Sequence, residues 1–90
     1  MTNRVVVHDL DELEEFGKFL DNKREEIEEL YDTLLSECEE QRDNWDDPQY
    51  ETLKDKIDEY HKDSQKQLER LEENVRYIEN LVRDLRAITR

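Results

Sequence analysis

Two histidines, a single cysteine, four tyrosines and 27 acidic side chains are the groups from which catalytic or metal-binding chemistry would have to be assembled here. Such chemistry needs a nucleophile, a base or a metal cluster converging in a concave site. His61 follows Asp58 by three residues, which places both on one face of a helix. A carboxylate-bridged metal bundle, however, uses two Glu-x-x-His motifs and two further Glu, so this lone half-match is read as chance. His8 has no Cys or second His at ligand spacing, and zinc is unsupported. The one Gly excludes a glycine-rich phosphate loop, and no EF-hand loop occurs despite the acidity. Cys38, being alone, forms no disulfide within the chain, and its place on an apolar stripe reads as a buried, inert thiol. Tyr31, Tyr50 and Tyr60 lie on or beside that stripe as packing residues with a polar tip, whereas Tyr77 points away from it and offers a contact point. No catalytic, cofactor-binding or metal-binding residue is expected, and the chain reads as one that acts by binding.

The elements that would carry such binding are set by Asn44-Trp45-Asp46-Asp47-Pro48, near the midpoint. Pro is tolerated in a first helical turn, the residue before it is driven out of helical geometry, and Asp47 is suited to capping the turn that follows. The division predicted is an extended arm over 1–8, helix one over 9–44, a turn at 45–47 and helix two over 48–89. The β-branched run Val5-Val6-Val7 disfavours helix nucleation and reads as an arm lying against the body. Asp9 with Glu12 has capping-box spacing. In helix one Leu13, Phe16, Leu20, Ile27, Leu30 and Leu34 recur in steps of three and four, with Lys23 as the polar interruption, and Leu10, Tyr31, Leu35 and Cys38 widen the stripe. In helix two Tyr50, Leu53, Ile57, Tyr60, Ser64, Gln67, Leu71, Asn74, Ile78, Leu81, Leu85 and Ile88 keep the rhythm, broadened by Leu68, Val75 and Val82. These stripes cover more of each helix than one neighbouring helix needs, so a single hairpin leaves apolar surface wet. Gly17 is read as a tolerated mid-helix glycine in preference to a site of close approach.

Folding back at Trp45 pairs residue i with about residue 91 minus i, as in any antiparallel helix pair. That register sets Leu34 near Ile57, Leu20 near Leu71, Leu13 near Ile78, Ile27 near Ser64 and Arg24 near Gln67. Lys23, Arg24, Ser64 and Gln67 then either form a register-fixing polar layer, or Lys23 and Arg24 snorkel outward; the spacing leaves both open.

With 46% charged and 33% hydrophobic residues, one Gly and one Pro, the composition belongs to long helices and coiled coils and leaves little room for sheet. A net charge of −13 opposes binding to nucleic acid and to anionic membrane surfaces. Through Trp45 there are 15 acidic and 5 basic side chains, against 12 and 9 in the remainder, so helix one is the face better suited to a basic protein surface. No apolar run is long enough to span a membrane, and no charged-then-apolar leader precedes the helices; a cytoplasmic location, or secretion without a cleavable signal peptide, is expected.

The central Trp45-Asp46-Asp47-Pro48-Gln49-Tyr50 followed by Leu53, set between the Leu10 to Cys38 and Tyr50 to Ile88 stripes, resembles the WXG family of small type VII secretion substrates and partners. The resemblance spans nearly the whole chain and carries two departures. Asp47 stands where the family's turn glycine falls, and Tyr77 is followed four residues later by Leu81 instead of the acidic residue of the export signal. The resemblance implies an all-α antiparallel two-helix hairpin that dimerises into a four-helix bundle, as a homodimer or with a paralogous hairpin, and places a larger secreted toxin among its partners. A coiled-coil scaffolding segment, in which Pro48 only kinks one long rod, is the competing reading.

Overall fold

The computed structural model describes residues 6–88. Residues 1–5 of the expected arm, Val5 included, and Thr89 at the expected end of helix two lie outside the described residues. Helix α1 (Leu10–Glu40) is followed by a single 3-10 turn (Gln41–Asp43) and then by helix α2 (Pro48–Ile88); no strand occurs among the described residues. The two helices lie side by side and antiparallel, in a flat layer with extents of 65 × 27 × 15 Å. A single helix running on through Pro48 is not what forms: the chain doubles back.

Asp9 adopts extended geometry and its carboxylate accepts the Glu12 N–H at 3.0 Å, which satisfies one of the donors that a helix start leaves open. Val6 stands exposed and Val7 half-buried, so Val6 does not lie against the body as the expected arm would. At the other end α1 stops at Glu40, not at residue 44. Its last turn holds Glu37, Glu39 and Glu40 with no basic residue to offset the negative end of the helix dipole, and no glycine follows to form a left-handed cap. The chain instead tightens, with Asn44 N–H donating to Gln41 O at 3.0 Å and Trp45 N–H to the same carbonyl at 2.8 Å. Asp47 then starts α2: its Oδ1 accepts Gln49 N–H at 2.6 Å and its carbonyl accepts Tyr50 N–H at 3.1 Å.

The seam between the helices is narrow. On α2 it is formed by Tyr50, Ile57, Ser64, Leu68, Val75 and Val82, all buried, in steps of seven broken by a single step of four, the spacings of a heptad seam. On α1 the buried positions are Gly17 and Cys38, with Leu10, Leu13, Leu20, Arg24, Tyr31 and Leu35 half-buried between and beside them. Gly17 is a site of close approach and not merely tolerated: a Cβ there would stand 3.1 Å from Ile78 Cγ2. At this notch Ile78 stands where the simple 91-minus-i register would have brought Asn74, an offset of one helical turn, which falls to two residues where Asp32 meets His61. No described side chain is sequestered completely, because one two-helix layer has no second side from which water is excluded.

Candidate functional site

The turn end is held by a compact aromatic cluster. Tyr50, only 3% exposed, sits against Cys38 and Ile57, with Leu35 and Trp45 packed around them. The Tyr50 hydroxyl donates to the Cys38 carbonyl at 3.0 Å, tying the last turn of α1 to the first turn of α2. The Trp45 ring meets Tyr50 edge-on at 5.9 Å between centroids, and its indole N–H donates to Asp47 Oδ2 at 2.9 Å. Asp47 therefore caps α2 with one carboxylate oxygen and fixes the Trp ring with the other. Asp46 and Pro48 are exposed at the tip and carry no side-chain bond of this kind.

Of the expected interface residues, Leu13, Leu20, Tyr31, Leu35, Cys38, Ile57, Leu68, Leu71, Val75, Ile78, Val82 and Leu85 are buried or half-buried along or beside the seam. Phe16, Ile27, Leu30, Leu34, Leu53 and Tyr60 are not part of the chain's own core: they are exposed, Leu30 at 66%, Tyr60 at 53% and Phe16 at 50%. The physical reason is the width of the stripes. The positions expected to widen the α1 stripe, Leu10, Tyr31, Leu35 and Cys38, make the seam together with Leu13, Gly17 and Leu20, and the rest of the main row is turned roughly a quarter-turn aside.

Those exposed residues share one face. Ile27, Leu30 and Tyr31 line one groove together with Ser64, Gln67, Leu68, Arg70, Leu71 and Asn74. Towards the tip Leu34, Glu37 and Cys38 line another with Trp45, Tyr50, Leu53 and Ile57. Phe16 continues the α1 row towards the open end, beside Phe19, whose ring lies 6.5 Å away and receives the Lys23 ammonium at 5.4 Å. Phe19 and this pairing escaped the sequence reading, although its place three residues after Phe16 puts it on the same side of the helix.

The opposite face is polar. His61 Nε2 lies 3.2 Å from Asp32 Oδ1 across the helices, and the Arg86 guanidinium bonds Glu14 and Asp11. Arg24, half-buried, is bonded by Asp21 and Glu28, and its pKa is raised chiefly by the Asp21 hydrogen bond, burial opposing. The expected polar layer divides accordingly: Arg24 and Ser64 turn inward, Ser64 donating to the His61 carbonyl, while Lys23 and Gln67 are exposed on the apolar side. Asp58, the residue paired with His61 by spacing, bonds Lys54 instead, and raises its pKa. No group of His, Cys, Asp and Glu among the described residues is placed to hold a metal ion, and no described helix is long and apolar enough to cross a membrane. Comparison of the chain with protein families, curated proteins and solved structures finds no match.

Proposed function

We propose that this chain is a non-enzymatic protein–protein interaction module of WXG-like type, whose exposed apolar face is covered by a second helical hairpin, another copy or a related chain, in a four-helix bundle. The observation that carries the reading is the row Phe16, Ile27, Leu30, Leu34, Leu53 and Tyr60, exposed along a single side of the layer. A contiguous apolar face on a small protein marks an interaction site, and burying a large apolar side chain fully contributes about 1.5–3 kcal/mol. The turn cluster around Trp45 and Tyr50 supports the same reading, since it braces the tip without spending the outer face. The family resemblance extends the proposal to a type VII-like secretion or toxin-partner system.

A coiled-coil scaffolding segment with no secretion role is the second reading, favoured by the seven-and-four seam of α2. Both readings require assembly through the outer face, and Leu30→Asp tests it. Leu30 is 66% exposed in the single hairpin, so its helicity should persist while the assembled mass in sedimentation equilibrium falls to that of one chain. An unchanged assembled mass would remove the apolar face from the interface.

A further inference from the structure

Resting on the assignment of the apolar face as an interface, we infer that its occupant is a second copy of this chain, lying with its turn at the same end, so that α1 of each copy packs on α2 of the other. Two hairpins meeting face to face by a two-fold axis have two ways to do so. With the axis along the rods the turns coincide, and α1 covers α2 of the second copy. With the axis across the rods the turns lie at opposite ends, and α1 covers α1.

Charge at the edges of the face separates the two. Along the outer edge of α1 run Glu12, Glu15, Glu26 and Glu37, with Lys23 the basic residue among them, whereas the outer edge of α2 carries Lys56 and Arg70 beside Glu59 and Asp63. Opposed turns lay the acidic edge of α1 against the same edge of its counterpart, and like charges so placed cost stability. Coincident turns lay it against the mixed edge of α2.

A two-fold axis along the rods leaves every residue at its own height, so the register between copies is the register within one. Asp32 is level with His61, and Gly17 with Ile78. Moving five residues towards the tip from the first pair sets Glu37 level with Lys56 of the second copy. Moving nine towards the tip from the second sets Glu26 within one residue of Arg70. Glu37, Lys56 and Arg70 make no ion pair with any described residue of their own chain. Glu37 and Arg70 already line the grooves that the second copy would fill. The apolar rows agree in height as well: Leu34 meets Tyr60, and Phe16 meets Ile78 and Leu81.

The test is a spin-label distance measurement on the full chain carrying Cys38→Ala, with one new cysteine at Asn44 in the turn. Coincident turns place two labels across one bundle, roughly 20–30 Å apart including their arms, given interaxial distances of about 8–10 Å. Opposed turns separate them by nearly the 65 Å length of the rod, and that result would overturn the orientation while leaving the interface standing. Absence of any intermolecular distance, with sedimentation reporting a single chain, would instead defeat the interface assignment for a second copy. If Cys38→Ala loosens the turn cluster, as helicity would reveal, Cys38→Ser carries the same label. Independently, Lys56→Glu should weaken self-association about two- to fivefold per pair, and Glu37→Lys added to the same chain should restore it. Failure of the double variant to recover would count against the coincident register.

Discussion

Replacing Gly17 by alanine sets two effects of similar size against each other. Glycine in a helix interior costs about 0.8–1.0 kcal/mol relative to alanine, so propensity alone makes Gly17→Ala stabilising by that amount. The added Cβ, however, would stand 3.1 Å from Ile78 Cγ2, closer than an ordinary methyl contact, with Ile78 Cβ at an ordinary 3.7 Å, so Ile78 must yield by a few tenths of an ångström. Overpacking of a fitted contact costs about 1–3 kcal/mol, and one methyl meeting one flexible side chain belongs at the low end of that range. The two nearly cancel, and Gly17→Ala should leave stability within about 0.5 kcal/mol of the parent. Ile78→Leu moves the branch one carbon out and removes Cγ2; in that background the alanine should keep its full gain of about 1 kcal/mol. The cycle of four proteins therefore has an expected coupling of about 1 kcal/mol, within the range for residues in contact. Urea unfolding followed by helical circular dichroism, at one fixed protein concentration because assembly adds to apparent stability, measures it. Equal stabilisation by alanine in both backgrounds would show that the notch at Gly17 does not set the register.

Tyr50→Phe removes the hydroxyl that donates to the Cys38 carbonyl; that carbonyl also accepts Gln41 N–H, so the loss should fall near the lower end of about 0.5–1.5 kcal/mol in an unfolding titration. A loss above about 3 kcal/mol would mean that the hydroxyl holds more of the turn than this one bond. The Lys54 pKa lies above its ordinary 10.5, raised by the hydrogen bond from Lys54 to Asp58. A raised folded-state pKa contributes stability that is fully present below the unfolded value and lost as pH climbs through the folded one. Lys54→Gln should accordingly change the unfolding free energy equally at about pH 7 and about pH 9, and a difference between them would reveal another titrating group in the contact.

The break between the helices and the capping at each start were legible from local chemistry alone. Asp9 sits three residues before Glu12, and Asp47 directly before Pro48, and both carboxylates accept the N–H groups that a helix start exposes. The end of α1 was not: the wrong dipole charges and the missing glycine cap are visible in the sequence, but the bond from the Tyr50 hydroxyl to the Cys38 carbonyl of the last turn joins residues twelve apart and has no local signature. Which rows face inward was likewise hidden. Phe16, Ile27 and Leu30 follow the apolar rhythm as well as Leu13, Tyr31 and Leu35, and a repeat of three and four cannot say which edge of a wide stripe meets the neighbouring helix.

By itself the sequence determined two helices, an elbow at Trp45 to Pro48, and more apolar surface than one neighbour can cover, because these follow from backbone geometry and periodicity counted along one chain. The packing of one helix on the other fixed the rest: that Ile78 enters the notch at Gly17, one turn from the residue expected there, and that the surplus apolar surface of both helices emerges on one face while His61 and Arg86 lie on the other. Rotation of each helix about its axis is fixed by fit between side chains distant in sequence, and that fit has no signature within either helix alone.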